Sequence, residues 1–170
     1  MILINVGSNL DSTKGDRFYN IKKTLESMKL EKITIIKISS VYETPSYPNE
    51  KNPKFLNIGL EVQCSHTPKE LIEKFNKIEK KLQRVRGAKN QPRTCDIDLI
   101  DYDGKILNNK KLKIPHPKAH LRNFVLFPIK EISKYWIHPI LNKRIDFLIK
   151  KLSFKLRNEI TRIKEHVTIE

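Results

Sequence analysis

The sequence predicts an α+β fold: a ferredoxin-like βαββαβ sandwich, an antiparallel sheet with helices packed on one face and a C-terminal helical extension. Three observations predict it. Strand-like and helix-like periodicities follow one another in the order β-α-β-β-α-β. The length of 170 residues suits one domain. No repeat, low-complexity linker or shift of composition marks a second one. We assign residues 1–152 to the domain and residues 153–170 to a charged extension of the last helix.

Ile2 to Val6 is an apolar run closed by the turn signal Gly7-Ser8-Asn9, and reads as the first strand. Phe18, Ile21, Leu25 and Met28 recur at helical spacing behind Asp16, a suitable N-cap. Lys32 to Tyr42, rich in Ile, Val and Ser, reads as the second strand. Glu43 to Lys54 holds Pro45, Pro48 and Pro53; proline lacks the N–H a ladder needs, so this is a loop. Phe55 to Cys64 alternates as the third strand. Thr67-Pro68-Lys69-Glu70 spells a capping box with proline at the first helical position. Leu71, Phe75, Ile78 and Leu82 then form the apolar stripe of the second helix, with Glu79 off that stripe. A basic loop from Arg84 to Arg93 leads into Asp96 to Tyr102, the fourth strand. Ile106 to Ile114 suits a short hairpin and Phe124 to Ile132 a helix. From Ile145 onward we expect one amphipathic helix, charged and frayed beyond Leu156.

The 34 Lys and Arg against 19 Asp and Glu leave a net charge of +15. That excess suits an anionic partner (nucleic acid, nucleotide or membrane surface), or a solvated lysine-rich face. The arginines are more informative, because their planar fork matches phosphate. Arg84, Arg86, Arg93 and Arg122 lie in one central stretch. The 5 glycines cannot form G-x-G-x-x-G or a P-loop, so side chains and metal ions would have to hold any phosphate. No apolar run approaches the ~18 residues a bilayer requires, and the first residues lack the pattern of a signal peptide. Cys64 and Cys95 are too few for a disulfide framework or a cysteine zinc site, which points to the cytoplasm.

Three clusters carry chemistry. Asp96 and Asp98 alternate with Ile97 and Leu99, so both carboxylates face one side of a strand. They repel unless a cation lies between them, and flanking Arg84, Arg86, Lys89 and Arg93 supply what a metal–nucleotide site needs. An exposed acidic edge is the plainer reading of Asp-x-Asp alone. His116, between Pro115 and Pro117 and close to Arg122, is either structural or a donor to phosphate. Phe55 and Asn57 share a strand face near Thr44-Pro45; a π surface beside an amide suits a flat heterocycle, and ordinary packing would also account for Phe55.

Gly7-Ser8-Asn9, Ser40-Val41-Tyr42-Glu43-Thr44-Pro45, Phe55-Leu56-Asn57, Gly87, Pro92-Arg93-Thr94-Cys95-Asp96-Ile97-Asp98, Ile114-Pro115-His116-Pro117 and Arg122-Asn123-Phe124 fall in one order. Together they resemble the 6-hydroxymethyl-7,8-dihydropterin pyrophosphokinases of folate biosynthesis, from the first strand to about Leu152. The resemblance implies an ATP-dependent transferase that moves pyrophosphate to the hydroxymethyl group of 6-hydroxymethyl-7,8-dihydropterin and releases AMP. It implies that Asp96 and Asp98 hold two Mg²⁺ ions and that Arg84 and Arg93 are catalytic. Asn76, Glu79, Arg86, Lys89, Leu99, Lys111, Lys113, His116 and Arg122 would bind ATP. Thr44, Pro45, Tyr47, Phe55, Asn57 and Phe124 would bind the pterin. A monomer with no nucleic-acid or membrane partner is expected. Asn76 stands where a glutamine is common in this family, and Phe55 where a tyrosine often stacks. Two other classes remain from the residues themselves: a Mg-dependent nucleotidyltransferase, and an RNA-binding ferredoxin-like module, whose aromatic strand signature Lys54-Phe55-Leu56-Asn57 lacks.

Overall fold

A computed structural model describes residues 1–85, 87, 90–110, 112–163 and 167. Its first strand, β1 (Ile2–Ser8), is fully buried. Helix α1 (Arg17–Leu30) follows, its N-cap Asp16 accepting the Tyr19 N–H at 2.8 Å. Next come β2 (Thr34–Ile38), β3 (Tyr42–Thr44) and β4 (Phe55–Gln63). Helix α2 (Pro68–Lys81) starts at Thr67 in the expected reciprocal capping box with Glu70. Strand β5 (Asp96–Tyr102) completes the central set. A hairpin of β6 (Leu107–Asn108) and β7 (Lys113–Ile114) precedes helix α3 (Asn123–Ile132). Then follow β8 (Ile137–His138), β9 (Lys143–Arg144), α4 (Ile145–Lys151), α5 (Phe154–Asn158) and β10 (Thr161–Arg162).

The main sheet runs β10-β3-β4-β1-β5, with β2 also on β4, and every pairing is antiparallel. The long β4 borders both β2 and β3, which corrects the single second strand expected from Lys32 to Tyr42. The break falls at Ser39-Ser40. The Ser39 hydroxyl accepts the Gly59 N–H at 2.9 Å, and Ser40 turns its N–H and hydroxyl to Glu131 at 3.1 and 2.8 Å. Serine side chains here take bonds that a continuous ladder would have made.

Helices cover both faces, which corrects the expectation of one covered face. Ile2, Ile4 and Val6 point into a core shared with Ile21 and Leu25 of α1 and Leu71 and Phe75 of α2. Leu3 points the other way, into a second core with Val125, Leu126 and Ile129 of α3 and Leu148 of α4. Each such aliphatic burial is worth about 1.5–3 kcal/mol. At Gly59 a Cβ would come within 3.0 Å of the Pro128 backbone, so glycine lets α3 lie directly on β4.

The single helix expected from Ile145 is also corrected. It stops at Leu152, which adopts an extended conformation; Ser153 caps α5 by accepting the Leu156 N–H at 3.2 Å. The chain then joins the sheet as β10, beside β3.

Candidate active site

Alternation along three neighbouring strands places Asn5 and Gly7 of β1, Phe55 and Asn57 of β4, and Asp96 and Asp98 of β5 on the face that carries α3. Helix α3 covers only part of that face. Register brings the residues into rows: Gly7 is opposite Asn57 on one side and Asp96 on the other, and Asn5 is opposite Asp98.

Arginines surround the two carboxylates. Asp96 accepts from Arg84 Nη1 at 2.6 Å through Oδ1 and from Arg93 Nη1 at 2.9 Å through Oδ2. Asp98 Oδ2 accepts from Arg122 Nη1 at 3.0 Å and lies 3.9 Å from His116 Nε2. Burial pushes the Asp98 carboxyl above its usual range, and the neighbouring Asp96 charge adds to this against the pull of His116 and Arg122. Glu79, off the apolar stripe of α2, is buried among polar partners; it takes the Arg84 guanidinium and the Ile97 N–H, the latter at 3.0 Å. A buried carboxylate persists because these donors compensate its lost hydration.

His116 Nδ1 accepts the Lys118 N–H at 3.1 Å. The neutral ring therefore carries its proton on Nε2, which faces the Asp98–Arg122 pair. Burial lowers the imidazole's proton affinity, so it presents an N–H donor without a formal charge.

The same arginines reach the aromatic rings. The Arg93 guanidinium lies 5.7 Å from the Phe55 ring centre and that of Arg122 lies 5.3 Å from the Phe124 ring centre. Each aspartate is thus joined to one ring through one arginine. Asn57 Nδ2 donates to Thr44 Oγ1 at 3.2 Å, which fixes the amide beside Phe55. Arg93 is held from behind by Asn9, whose Oδ1 accepts the Arg93 N–H at 2.8 Å. Asn9 also donates to Ser46 and Pro53 at 3.0 and 3.1 Å, tying the proline-rich loop to the site.

Each carboxylate lines a different cleft. One, of about 680 Å³, is lined by Pro45, Tyr47, Phe55, Asn57, Arg93 and Phe124 among others, with Asp96 at its edge. The other, of about 270 Å³, is lined by Asp98, Leu99, Lys113 and His116 together with Lys110 and Leu112. The expected pterin-side residues therefore gather in the first, Thr44 through its bond to Asn57. Of the expected nucleotide-side residues, Leu99, Lys113 and His116 border the second cleft, Arg122 borders the first, and Glu79 lines neither and is bonded to Arg84. Asn76 is exposed on α2 and lines neither. Arg86, Lys89 and Lys111 lie outside the described residues. Sequence reasoning assigned no role to Asn5, Asn9, Lys110, Asn123, Lys155 or Leu156; the legible clues were the motifs Gly7-Ser8-Asn9 and Arg122-Asn123-Phe124, which contain Asn9 and Asn123.

Among the described residues no three His, Cys, Asp or Glu side chains form a metal cage. Asp96 and Asp98 still fit a hard divalent cation. Both offer oxygen from one strand face, both side chains keep about a quarter of their surface exposed (25% and 26%), and a cation could take over the place that the guanidinium groups of Arg84, Arg93 and Arg122 hold beside them. Two carboxylates completed by substrate phosphates is a usual Mg²⁺ environment.

Residues 3–134 match the family model described as 7,8-dihydro-6-hydroxymethylpterin-pyrophosphokinase (HPPK). A 2-amino-4-hydroxy-6-hydroxymethyldihydropteridine pyrophosphokinase from Aquifex aeolicus is 38% identical over 142 residues, 84% of this chain and 86% of that protein. The Bacillus subtilis protein of the same name is 35% identical over 132 residues, covering 77% of both chains. The folic acid synthesis protein fol1 of Pneumocystis carinii is 35% identical over 151 residues, but this chain spans only 20% of its length. The crystal structure of wild-type Plasmodium falciparum HPPK-DHPS superposes with a TM-score of 0.68 at 14% identity, covering 95% of this chain and 47% of that one. That likeness concerns the fold.

Proposed function

The chain belongs to the 7,8-dihydro-6-hydroxymethylpterin-pyrophosphokinase family and is a pyrophosphokinase, a transferase of folate biosynthesis; we propose that it transfers pyrophosphate from ATP to 6-hydroxymethyl-7,8-dihydropterin with two Mg²⁺ ions. The single observation that carries the reading is that Asp96 and Asp98, two residues apart on one face of β5, each line one of two chemically different clefts. An aromatic, amide-lined cleft on one side suits a pterin. A cleft with lysine and imidazole donors on the other suits a nucleotide.

In this reading the pterin ring lies between Phe55 and Phe124, with the Asn57 amide against its edge. Its hydroxymethyl oxygen points toward Asp96. That oxygen bonds to the β-phosphorus of ATP and gives up its proton to water, the bond from the β-phosphorus to the oxygen it shares with the α-phosphorus breaks, and AMP leaves with that electron pair. Arg84, Arg93 and Arg122 turn from the carboxylates to the phosphate oxygens. His116 Nε2–H donates there as well, and Lys113 and the backbone near Leu99 hold the nucleotide. Asp96 and Asp98 would hold the metal ions, which when bound supply charge neutralisation across the triphosphate. Positioning and electrostatic stabilisation account for most of the rate in such a transfer.

The order of β1, α1, β2, β4, α2 and β5, with β1 between β4 and β5, supports a ferredoxin-like frame. The two free cysteines support a reducing, cytoplasmic setting. Incubation with ATP, Mg²⁺ and the reduced hydroxymethylpterin tests the proposal. AMP and a pyrophosphorylated pterin are expected. Release of inorganic pyrophosphate would instead mark a nucleotidyltransferase, and no turnover with tight RNA binding a nucleic-acid module.

A further inference from the structure

The family-model match ends at residue 134, yet a segment well beyond it reaches the larger cleft. Lys155 and Leu156 of α5 line that cleft beside Phe124 and Tyr47. The segment is fixed at both ends. Behind it, α4 is packed into the second core through Leu148 and Ile149. Ahead of it, β10 pairs with β3, and Arg162 Nε donates to Ser40 Oγ at 2.8 Å.

Between these anchors one carboxylate joins opposite walls of the cleft. Glu159 Oε2 accepts from the Tyr47 hydroxyl at 2.6 Å, and Glu159 Oε1 accepts from Asn123 Nδ2 at 3.3 Å. Asn123 Nδ2 also donates to the Leu156 carbonyl at 2.7 Å, and its Oδ1 accepts the Phe124 N–H at 2.7 Å. The start of α3, which carries one aromatic wall, is therefore bonded to the same segment as the proline-rich loop that carries the other rim. Lys155 reinforces that rim: its Nζ donates to Glu50 at 2.7 Å and lies 5.6 Å from the Tyr47 ring centre.

We infer that residues 153–162 are a built-in strap of the pterin cleft and that Glu159 is a positioning residue, holding Tyr47 and Asn123 so that the ring-binding walls keep their spacing. This rests on the pterin reading of the cleft. Among the described residues, the side-chain hydrogen bonds that tie the strap to the rest of the chain go to Tyr47, Asn123, Glu50, Ser40 and Glu131 and to no group assigned to the nucleotide, so its effect falls on one substrate. A charge-assisted hydrogen bond strengthens a contact by about tenfold or more, and preorganised walls lower the cost of binding a rigid ring.

The test compares the full-length protein with Glu159→Ala, Glu159→Gln and Tyr47→Phe. Steady-state kinetics should be run with each substrate varied in turn, and pterin binding measured directly by its fluorescence. Glu159→Ala is expected to raise the pterin KM and Kd by about tenfold, with kcat and the ATP KM within about twofold. Glu159→Gln, which keeps an acceptor oxygen, should recover part of the loss. Tyr47→Phe removes one donor without disturbing the backbone and should reproduce part of it, which keeps the test valid if Glu159→Ala folds poorly. Unchanged pterin KM and Kd in an active Glu159→Ala enzyme overturn the strap and leave the pyrophosphokinase reading intact. An equal rise in both KM values overturns it too, as generic loosening. A wild-type protein that neither binds the pterin nor forms AMP overturns both.

Discussion

Asn57 and Asp96 stand in register on either side of β1, with Gly7 alone between them. Two strand spacings make this about 10 Å, so the amide that would hold a ring and the carboxylate that would hold a cation are set apart by the sheet itself. A Cβ at Gly7 would lie 2.9 Å from Asn57 Oδ1, and the Asn57 amide is tied to Thr44 and cannot move aside freely. Gly7→Ala is therefore expected to raise the pterin KM about fivefold, the loss of one ordinary hydrogen bond. Its ATP KM should stay near wild type in the same assay.

Arg93 links Asp96 to the Phe55 ring and is held by Asn9 from behind. Removing one oriented stabilising group costs roughly 10²–10³ in rate. Arg93→Ala should lose that much kcat while pterin affinity changes modestly. Equal loss in kcat and pterin affinity would mean that the guanidinium acts on the ring and not on the phosphates.

Asp98 carries a carboxyl whose proton affinity is raised by burial and by Asp96. A divalent cation relieves that repulsion, so Mg²⁺ with a non-hydrolysable ATP analogue should stabilise the wild-type fold. At about 100 times Kd the gain is ~2.7 kcal/mol. Asp98→Asn is expected to lose most of this thermal shift and more than about 10³ in turnover. A full shift in the variant, measured by differential scanning fluorimetry, would remove Asp98 from the metal site.

Acid should weaken the fold through His138. This buried ring packs edge-on against His120 at 5.5 Å and beside Trp136, whose Nε1–H goes to Asp101 at 2.7 Å. Its Nδ1 accepts the N–H groups of Ile140 and Leu141 at 3.3 and 3.2 Å, bonds that protonation at that nitrogen would break. Burial and His120 lower its proton affinity below the usual value near 6.5, against the pull of Asp101. With the folded value depressed, the unfolded chain binds the proton first. The stabilisation is fully present above pH ~6.5 and is lost as pH falls toward the folded value, by at most about 1.4 kcal/mol per pH unit for one imidazole. His116 is depressed in the same direction. His138→Gln should therefore make the decline of Tm between pH 7 and 5 (roughly the imidazole range) shallower without abolishing it.

What lies close in sequence was legible. Asp16 and the Thr67–Glu70 box mark helix starts because capping is a matter of three residues. Asp96 and Asp98, and likewise Phe55 and Asn57, share a face because strand alternation is local. Partners far apart in the chain were not. An apolar stripe on α3 says that one side is buried but not against which face of the sheet. Glu79 stood off the apolar stripe of α2, and its burial was not legible because the Ile97 N–H that helps satisfy it comes from β5. The charged segment from Leu156 onward looked like a fraying helix end, since its bonds to Tyr47 and Asn123 span more than 30 residues.

Strand β5 serves two masters in alternate positions, with Ile97 and Leu99 turned to the oily side and Asp96 and Asp98 to the reactive one. A slip of a single residue would exchange the sets at a stroke, sinking two charges in hydrocarbon and leaving aliphatics where the proposed cations would bind. Misthreaded molecules are therefore both unstable and inert. Titrating the active fraction of a preparation would count the correctly paired chains directly, with no class of half-working protein to blur the answer.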